Sequence, residues 1–187
     1  MIIQEQDLEK TNKNKIGRPK VLNKKLKEQI LLLKLKGLGV RKISNTTGIS
    51  NTAVGYKALR ENITGTDNVA LGAYANQEGT TGDDNVAMGH QSLGKMGTGI
   101  RNIGIGSAAG YRIVSGNRNT VIGYVAGFEI TGDDNTAMGY GALGAVTTGA
   151  TNSAFGKSAL LVNTTGAGNT ALGKDSLGSN TTSANNV

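Results

Sequence analysis

Residues 85–106 read NVAMGHQSLGKMGTGIRNIGIG and contain two starts of a phrase that recurs along the chain. Asn85 and Asn102 each open the phrase. Equivalent asparagines stand at 51, 68, 119, 135, 152, 169 and 186. Successive starts lie 17 residues apart, except for one interval of 16 residues between 119 and 135. A fixed short period without helix-length apolar stripes predicts a solenoid, whose units bury their cores by stacking on one another.

Each repeat, counted from its asparagine as position 1, predicts a short strand at positions 2 to 4. Alternate residues of a strand point to opposite faces. Position 4 is always large and apolar, and we expect it to fill the inside of the coil. The predicted coil core is therefore Val54, Leu71, Met88, Ile105, Ile122, Met138, Phe155 and Leu172.

Position 3 points away from position 4 and is never charged. A solvent-facing set would be expected to carry polar residues. Two apolar faces on one strand predict that the second face is covered by another copy of the chain. The predicted self-association residues are Ala53, Ala70, Ala87, Val121, Ala137, Ala154 and Ala171.

The remaining fixed positions indicate how the chain turns. Glycine at positions 5 and 15 predicts corners with positive φ, which glycine adopts without steric cost. Asparagine at a fixed corner can bond its own backbone and the equivalent asparagine one coil away. We therefore expect an asparagine ladder along the solenoid.

Composition excludes most enzymatic chemistry. The chain has 187 residues, of which 37% are apolar, with 29 glycines, no cysteine and one histidine, His90. The usual nucleophile and base pairs cannot be assembled from this set. We predict a non-enzymatic protein with no catalytic residues, no cofactor and no metal site. The opening residues lack the pattern of a secretory signal, and no stretch has the ~20 apolar residues of a membrane span.

The positive charge is concentrated at the start of the chain. Residues 1–50 hold 12 Lys and Arg against four Asp and Glu, whereas residues 51–187 hold eight against nine. Such asymmetry suggests a basic region that meets nucleic acid or another polyanion. We divide the chain into a loose tail (1–14), a basic helical region (15–50) and the repeat array (51–187).

Residues 17–59 resemble the helix-turn-helix domain of the serine recombinases of the Hin invertase and resolvase family. The resemblance rests on the GRPK arm at 17–20, the EQI at 28–30 and the Gly48-Ile49 turn. It implies an arm in the minor groove and a third helix in the major groove. The DNA-contacting residues it implies, with the basic pair at 41–42, are Gly17, Arg18, Lys20, Arg41, Lys42, Thr52 and Tyr56.

Residues 51–61 fit two patterns, because they complete the helix-turn-helix and also form the first repeat. One backbone cannot be both a helix and a strand. Gly55 would lie mid-helix at a cost of about 1 kcal/mol relative to alanine. That cost favours the coil, and the helix remains the alternative.

Residues 51–187 resemble the head repeats of YadA-type trimeric adhesins and, more closely, the repeats of phage tail fibres and other viral surface fibres. The resemblance is carried by the NxA(V/I/L/M)G motif, followed by a small residue, in register along the array. It implies a mainly β, left-handed parallel β-roll of about eight coils, trimeric or filamentous.

The predicted function is a structural or adhesive fibre protein, made in the host cytoplasm and then carried on a virion or extracellular fibre. Its expected partners are its own copies and a host-surface receptor, with no membrane. The alternative is a protein that binds duplex DNA through residues 15–50 and is multimerised by the repeats.

Overall fold

The computed structural model describes residues 51–145 and 148–187, which form one parallel β-solenoid. Each repeat is one coil, numbered 1 to 8 from Asn51, and each coil contributes one strand of three residues. The strands are β1 (Thr52–Val54), β2 (Val69–Leu71), β3 (Val86–Met88), β4 (Ile103–Ile105), β5 (Thr120–Ile122), β6 (Thr136–Met138), β7 (Ser153–Phe155) and β8 (Thr170–Leu172). The described residues contain no helix. The predicted divisions at 1–14 and 15–50 lie outside the described residues.

The eight strands form a single parallel sheet in chain order, with about seven turns of the solenoid between the first and the last. Like positions lie over like. Ala70 pairs with Ala87 and Leu71 with Met88, for example. The shorter fifth repeat keeps this register, because Val121 still pairs with Ala137 and Ile122 with Met138. The predicted β-solenoid, with its strand at positions 2 to 4, is confirmed.

The assignment of the two strand faces is wrong and has to be reversed. Ala70, Ala87 and Ala137 at position 3 are fully buried inside the coil. At position 4, Leu71 is 44% exposed and Met138 is 36% exposed. The same reversal applies to the whole predicted coil core of Val54, Leu71, Met88, Ile105, Ile122, Met138, Phe155 and Leu172, all of which are exposed or half-buried. It also applies to the predicted self-association residues Ala53, Ala70, Ala87, Val121, Ala137, Ala154 and Ala171, which lie in or against the buried core.

The physical reason for the reversal is the opposite wall of the coil. Positions 9 and 12 carry large side chains that point inward, including Leu93, Met96, Ile113 and Leu160, all fully buried. These side chains fill the narrow interior, so only a small residue fits on the strand facing them. Interiors are packed at near-crystalline density, and an extra large side chain there would be strained.

Coils 4 and 5 show that positions 3 and 9 compete for the same space. In coil 5, Val121 replaces alanine at position 3. Position 9 is glycine in the same coil, at Gly127, and in coil 4 before it, at Gly110. A Cβ added at Gly127 would lie 2.3 Å from a methyl carbon of Val121. Conversely, a Cβ at Gly104, the only glycine at position 3 in the described repeats, would lie 2.8 Å from the Leu93 side chain. A large side chain at one of these positions therefore requires a small residue at the position that faces it.

The predicted asparagine ladder is confirmed. The Asn85 backbone N–H donates to Asn68 Oδ1 at 3.0 Å, and the Asn85 Nδ2 donates to the Gly99 carbonyl at 2.9 Å. The same pair of bonds recurs at Asn119, to Asn102 Oδ1 and to Gly132. The ladder asparagines from 68 to 169 are fully buried. Each therefore satisfies backbone groups that water cannot reach.

Glycine is required at positions 5 and 15 for two different physical reasons. Glycine at position 5 has positive φ, for example +130° at Gly89, as predicted. Glycine at position 15 does not adopt the predicted positive φ. It is required because the next coil passes too close for a side chain: a Cβ at Gly82 would lie 2.1 Å from the Gly99 carbonyl oxygen.

Coil 2 contains a polar defect in this core. Asn76 stands at position 9, where five of the eight coils have leucine, and it is fully buried. Neither side-chain polar atom of Asn76 has a hydrogen-bond partner within the described chain. The amide occupies the space above Gly79, where a Cβ would lie 2.0 Å from Asn76 Oδ1.

Replacing Asn76 with leucine is expected to stabilise the solenoid by about 1 to 3 kcal/mol, because a buried unpartnered amide is removed and apolar surface is buried. The backbone accepts the change, since Leu93 has φ +47° at the same position and Asn76 has φ +44°. Asn163→Leu is the control, because its amide donates to the Gly166 carbonyl at 2.8 Å. Thermal melting should show a higher Tm for Asn76→Leu and a lower one for Asn163→Leu. A lower Tm for both variants would contradict this interpretation.

Candidate functional site

The most distinctive surface of the solenoid is the outward face of its sheet, which we call the strand face. It consists of positions 2 and 4 of every coil. Position 4 supplies a continuous row of large apolar side chains, and position 2 adds Val69, Val86 and Ile103 on coils 2 to 4. At position 4, the exposed fraction is 42% at Val54 and 36% at Ile105.

The strand face is rigid because each of its side chains stands on a strand fixed from both sides. β2 to β7 each pair with a preceding and a following strand. Beneath them, the alanines of position 3 pack on the leucines of position 9. The apolar row is therefore held in register, with one large side chain per coil. Contiguous exposed apolar surface on such a scaffold makes the strand face the candidate interaction site.

Charged residues border one edge of the strand face. The residue that precedes the asparagine of the next coil is Asp67, Asp84, Arg101, Arg118 and Asp134 in the first five coils. The Arg101 Nε lies 3.5 Å from Asp84 Oδ2 across one coil spacing. The Arg118 Nε donates to Asp134 Oδ1 at 2.6 Å. An apolar strip with a charged border is the arrangement of a protein interface, whose rim is polar.

The pair of Arg118 and Asp134 perturbs both groups. The hydrogen bond from Arg118 holds the pKa of the Asp134 carboxyl below its ordinary value, and the same bond raises the pKa of Arg118. Because the carboxyl pKa is lowered on folding, the pair stabilises the fold above the ordinary pKa of aspartate. That contribution is lost as pH falls through the lowered pKa. Both groups are exposed, so the effect is small.

Aromatic residues follow the other edge of the strand face, at positions 6 and 7. Tyr56 packs edge-on against Tyr74 with ring centroids 5.3 Å apart, and Tyr124 stacks on Tyr140 at 5.5 Å. The Lys157 Nζ lies 5.6 Å from the centroid of the Tyr140 ring. These contacts run along the solenoid axis, from one coil to the next.

Two of the predicted DNA-contacting residues, Thr52 and Tyr56, lie within the described residues. Thr52 lies in β1 and Tyr56 in the turn that follows Gly55, so the helical alternative for residues 51–61 is wrong and the coil is confirmed there. The physical reason is register: β1 pairs with β2 over all three of its residues. Gly17, Arg18, Lys20, Arg41 and Lys42 lie outside the described residues, and DNA binding by residues 15–50 stays a prediction.

No group of three His, Asp or Glu side chains within residues 51–145 and 148–187 is placed to hold a metal ion. In the same part of the chain, no helix has the length and apolar character to cross a bilayer.

Comparisons with protein-family models, with curated proteins and with solved structures gave no match. The resemblances to YadA-type heads, to viral fibres and to the invertase helix-turn-helix therefore remain hypotheses from sequence. The β-solenoid itself rests on the structure.

Positions 9 and 12, which supply most of the large side chains inside the coil, were not identified from the sequence. The residues at position 9 did contain an indication of this. Position 9 is leucine in five of the eight repeats, and its two glycines fall in the coil that carries Val121 at position 3 and in the coil before it.

Proposed function

We propose that residues 51–187 form a segment of a structural or adhesive fibre, and that copies of the chain associate through the strand face. The observation that carries this proposal is the unbroken row of position-4 side chains, exposed or half-buried on all eight strands. Apolar surface removed from water contributes roughly 25 cal/mol per Å². A row of this length therefore favours association strongly once a partner of the same shape covers it.

A parallel homotrimer is the assembly that the resemblance to YadA-type heads implies for this face. Each chain has one apolar strip, and three strips arranged around an axis close without leaving one uncovered. In a parallel arrangement without stagger, each coil meets the same coil of its neighbours, so apolar residues meet apolar residues along the whole row. At about 4.8 Å per coil, the strands β1 to β8 span about 34 Å of fibre. A staggered contact would instead propagate into a filament.

The adhesive role and the setting on a viral fibre, such as a phage tail fibre, rest on the resemblance of the NxA(V/I/L/M)G repeats to those of such fibres. A rigid rod of stacked coils suits this role, because residues on its outer turns vary while the residues that set the corners of each coil stay fixed. Positions 6, 7, 10 and 11 differ between nearly all coils, whereas positions 1 and 5 do not vary. Such a rod can present different side chains at fixed spacing to a receptor.

The double variant Ile105→Asp with Ile122→Asp tests the proposal. We expect it to remain folded, because both side chains point outward, and to lose self-association, because two carboxylates per chain would have to be desolvated in the interface. The association constant should fall by at least about 100-fold, since each 1.4 kcal/mol lost is a factor of ten. Light scattering after size exclusion gives the mass, and circular dichroism reports the fold.

Lys157→Asp is the control, because Lys157 is exposed beyond the strand face. Its mass and β signal should equal those of the unaltered protein. The proposal fails if the double variant keeps the oligomeric mass. The reversed face assignment fails if the double variant unfolds at concentrations where the unaltered protein is folded.

A further inference from the structure

A polar cleft opens on the turn side of coils 2 to 4, away from the strands, with a volume of about 420 Å³. We call it the turn cleft. It is lined by Tyr74, Gln77 and Glu78 of coil 2, by Gln91, Gly94 and Lys95 of coil 3, and by Tyr111 of coil 4. These residues occupy positions 7, 10 and 11, which differ in nearly every coil. The cleft is therefore specific to this part of the rod.

Two tyrosine rings flank the cleft, and both are held in place by other aromatic rings. Tyr74 contacts Tyr56 and His90 edge-on, with centroid distances of 5.3 Å and 5.8 Å. Tyr111 stacks on Phe128 of the next coil at 5.3 Å, with an angle of 26° between the ring planes. Rings fixed in this way lose little conformational entropy when a ligand packs on them.

Gly94 allows the Tyr111 ring to pack closely over coil 3. Position 10 reads Gln77, Gly94, Tyr111 and Phe128 over four successive coils. A Cβ on Gly94 would lie 2.9 Å from the Tyr111 ring, so a side chain in coil 3 would displace the ring. Because Gly94 has none, the ring lies over coil 3 as one wall of the cleft, and Gln77 lines the cleft two coils, or about 10 Å, away along the axis.

The polar side chains of the cleft are available to a ligand. Those of Gln77, Glu78 and Gln91 form no hydrogen bond or ion pair with any described residue. The Lys95 Nζ lies 5.9 Å from the centroid of the Tyr111 ring. Two primary amides supply both donors and acceptors, one carboxylate accepts, and one ammonium donates.

This chemistry argues against two classes of partner. Glu78 and Lys95 make the lining neutral overall, whereas nucleic-acid sites are strongly basic. A peptide that adds as a strand needs a free sheet edge. The strands of coils 2 to 4 are paired on both sides, so they offer no such edge.

We propose that the turn cleft binds a neutral saccharide. A sugar ring presents a face of C–H bonds, which packs on the negative face of an aromatic ring, and hydroxyl groups that both donate and accept. Tyr111 is the platform for the ring, and Gln77, Gln91 and Glu78 bond the hydroxyls. This inference deepens the adhesive part of the proposed function, because it gives the rod a ligand class and a location for it.

The experiment begins with the full chain on a panel of immobilised glycans that includes neutral oligohexoses and acidic glycans. Titration calorimetry with the tightest-binding glycan of the panel then gives affinities. We expect binding to a neutral oligosaccharide, weakened about tenfold by Gln91→Ala and more by Tyr111→Ala. Tyr140→Ala is the matched control, because Tyr140 is an exposed, stacked tyrosine outside the cleft. Its affinity should be unchanged.

The outcomes separate this inference from the fibre proposal. Absence of binding to every glycan, preference for acidic glycans, or equal binding by Gln91→Ala and the unaltered protein would overturn the inference. Circular dichroism checks that Tyr111→Ala is folded, and Gln91→Ala decides the matter if it is not. The dissociated Ile105→Asp, Ile122→Asp variant should still bind the saccharide, because the whole cleft belongs to one chain. Saccharide binding by a monomeric unaltered protein would therefore uphold the cleft and refute the fibre.

Discussion

Replacing Ala137 with aspartate is expected to prevent folding of the solenoid, whereas aspartate at its neighbour Met138 should leave the solenoid folded. The two residues are consecutive in β6 and point to opposite faces. Ala137 is fully buried inside the coil, while Met138 is 36% exposed. An unpaired carboxylate in that interior costs several kcal/mol or more, comparable with the total stability of a domain of about 5 to 15 kcal/mol.

The measurement is circular dichroism and thermal melting of both variants at equal concentration. Ala137→Asp should lack the β signal of the unaltered protein. Met138→Asp should keep that signal but show a lower mass, because its carboxylate lies on the strand face. The opposite result, a folded Ala137→Asp and an unfolded Met138→Asp, would restore the assignment in which the large side chains fill the coil.

Asn119→Ala is expected to destabilise the solenoid by about 3 to 5 kcal/mol, because two buried backbone groups lose their partners. The Asn119 Oδ1 accepts the N–H of Asn135 at 2.9 Å, and its Nδ2 donates to the Gly132 carbonyl at 3.0 Å. Alanine can replace neither bond, and water does not reach these groups. Urea unfolding should show a lower midpoint.

Asn51→Ala is the matched control for the ladder. Asn51 makes the same two bonds, accepting from the Asn68 N–H at 2.8 Å and donating to Gly65 at 2.7 Å, but it is only half-buried. Solvent can replace part of what is lost there, so the effect should be at least twofold smaller. Equal effects at Asn51 and Asn119 would contradict a role for burial in the ladder.

The sequence sufficed to predict the period, the strand and the ladder, because each depends on local backbone chemistry repeated in register. Asparagine at position 1 and glycine at position 5 require the same corner in every coil. Nine asparagines in phase indicate a ladder even before a partner is known. The repeat before Asn135 is one residue shorter than the others, yet the strands keep their register, because Thr120 still pairs with Thr136.

The strand faces could not be assigned from the strand alone. Both of its faces are apolar, so hydrophobicity does not distinguish them. The larger side chains at position 4 suggested that this face fills the coil, and that suggestion was wrong. The deciding residues are on the opposite wall, such as Leu93 and Ile113, and their direction depends on turns with positive φ at positions 7 and 9. Non-glycine residues such as Gln91 and Leu93 adopt these conformations. Positive φ is uncommon for such residues, so sequence alone gives little indication of it.

The location of the strand face depends on the same reversal of the two faces. The proposal that another copy of the chain covers the outer apolar face now concerns position 4 instead of position 3. The change strengthens the proposal, because Leu71, Met88 and Ile105 offer far more apolar area than the alanines beside them. The turn cleft was beyond sequence reasoning, since Tyr74 and Tyr111 are 37 residues apart and meet only through the stacking of coils.

The most direct test of the central claim is the mass of the full chain in solution, measured by sedimentation equilibrium over a range of dilutions. If the strand face is covered by other copies, the mass should be three times the chain's 19.2 kDa, or a larger multiple if a filament forms. A folded species of 19.2 kDa at micromolar concentration, with the β signal intact, would contradict the account.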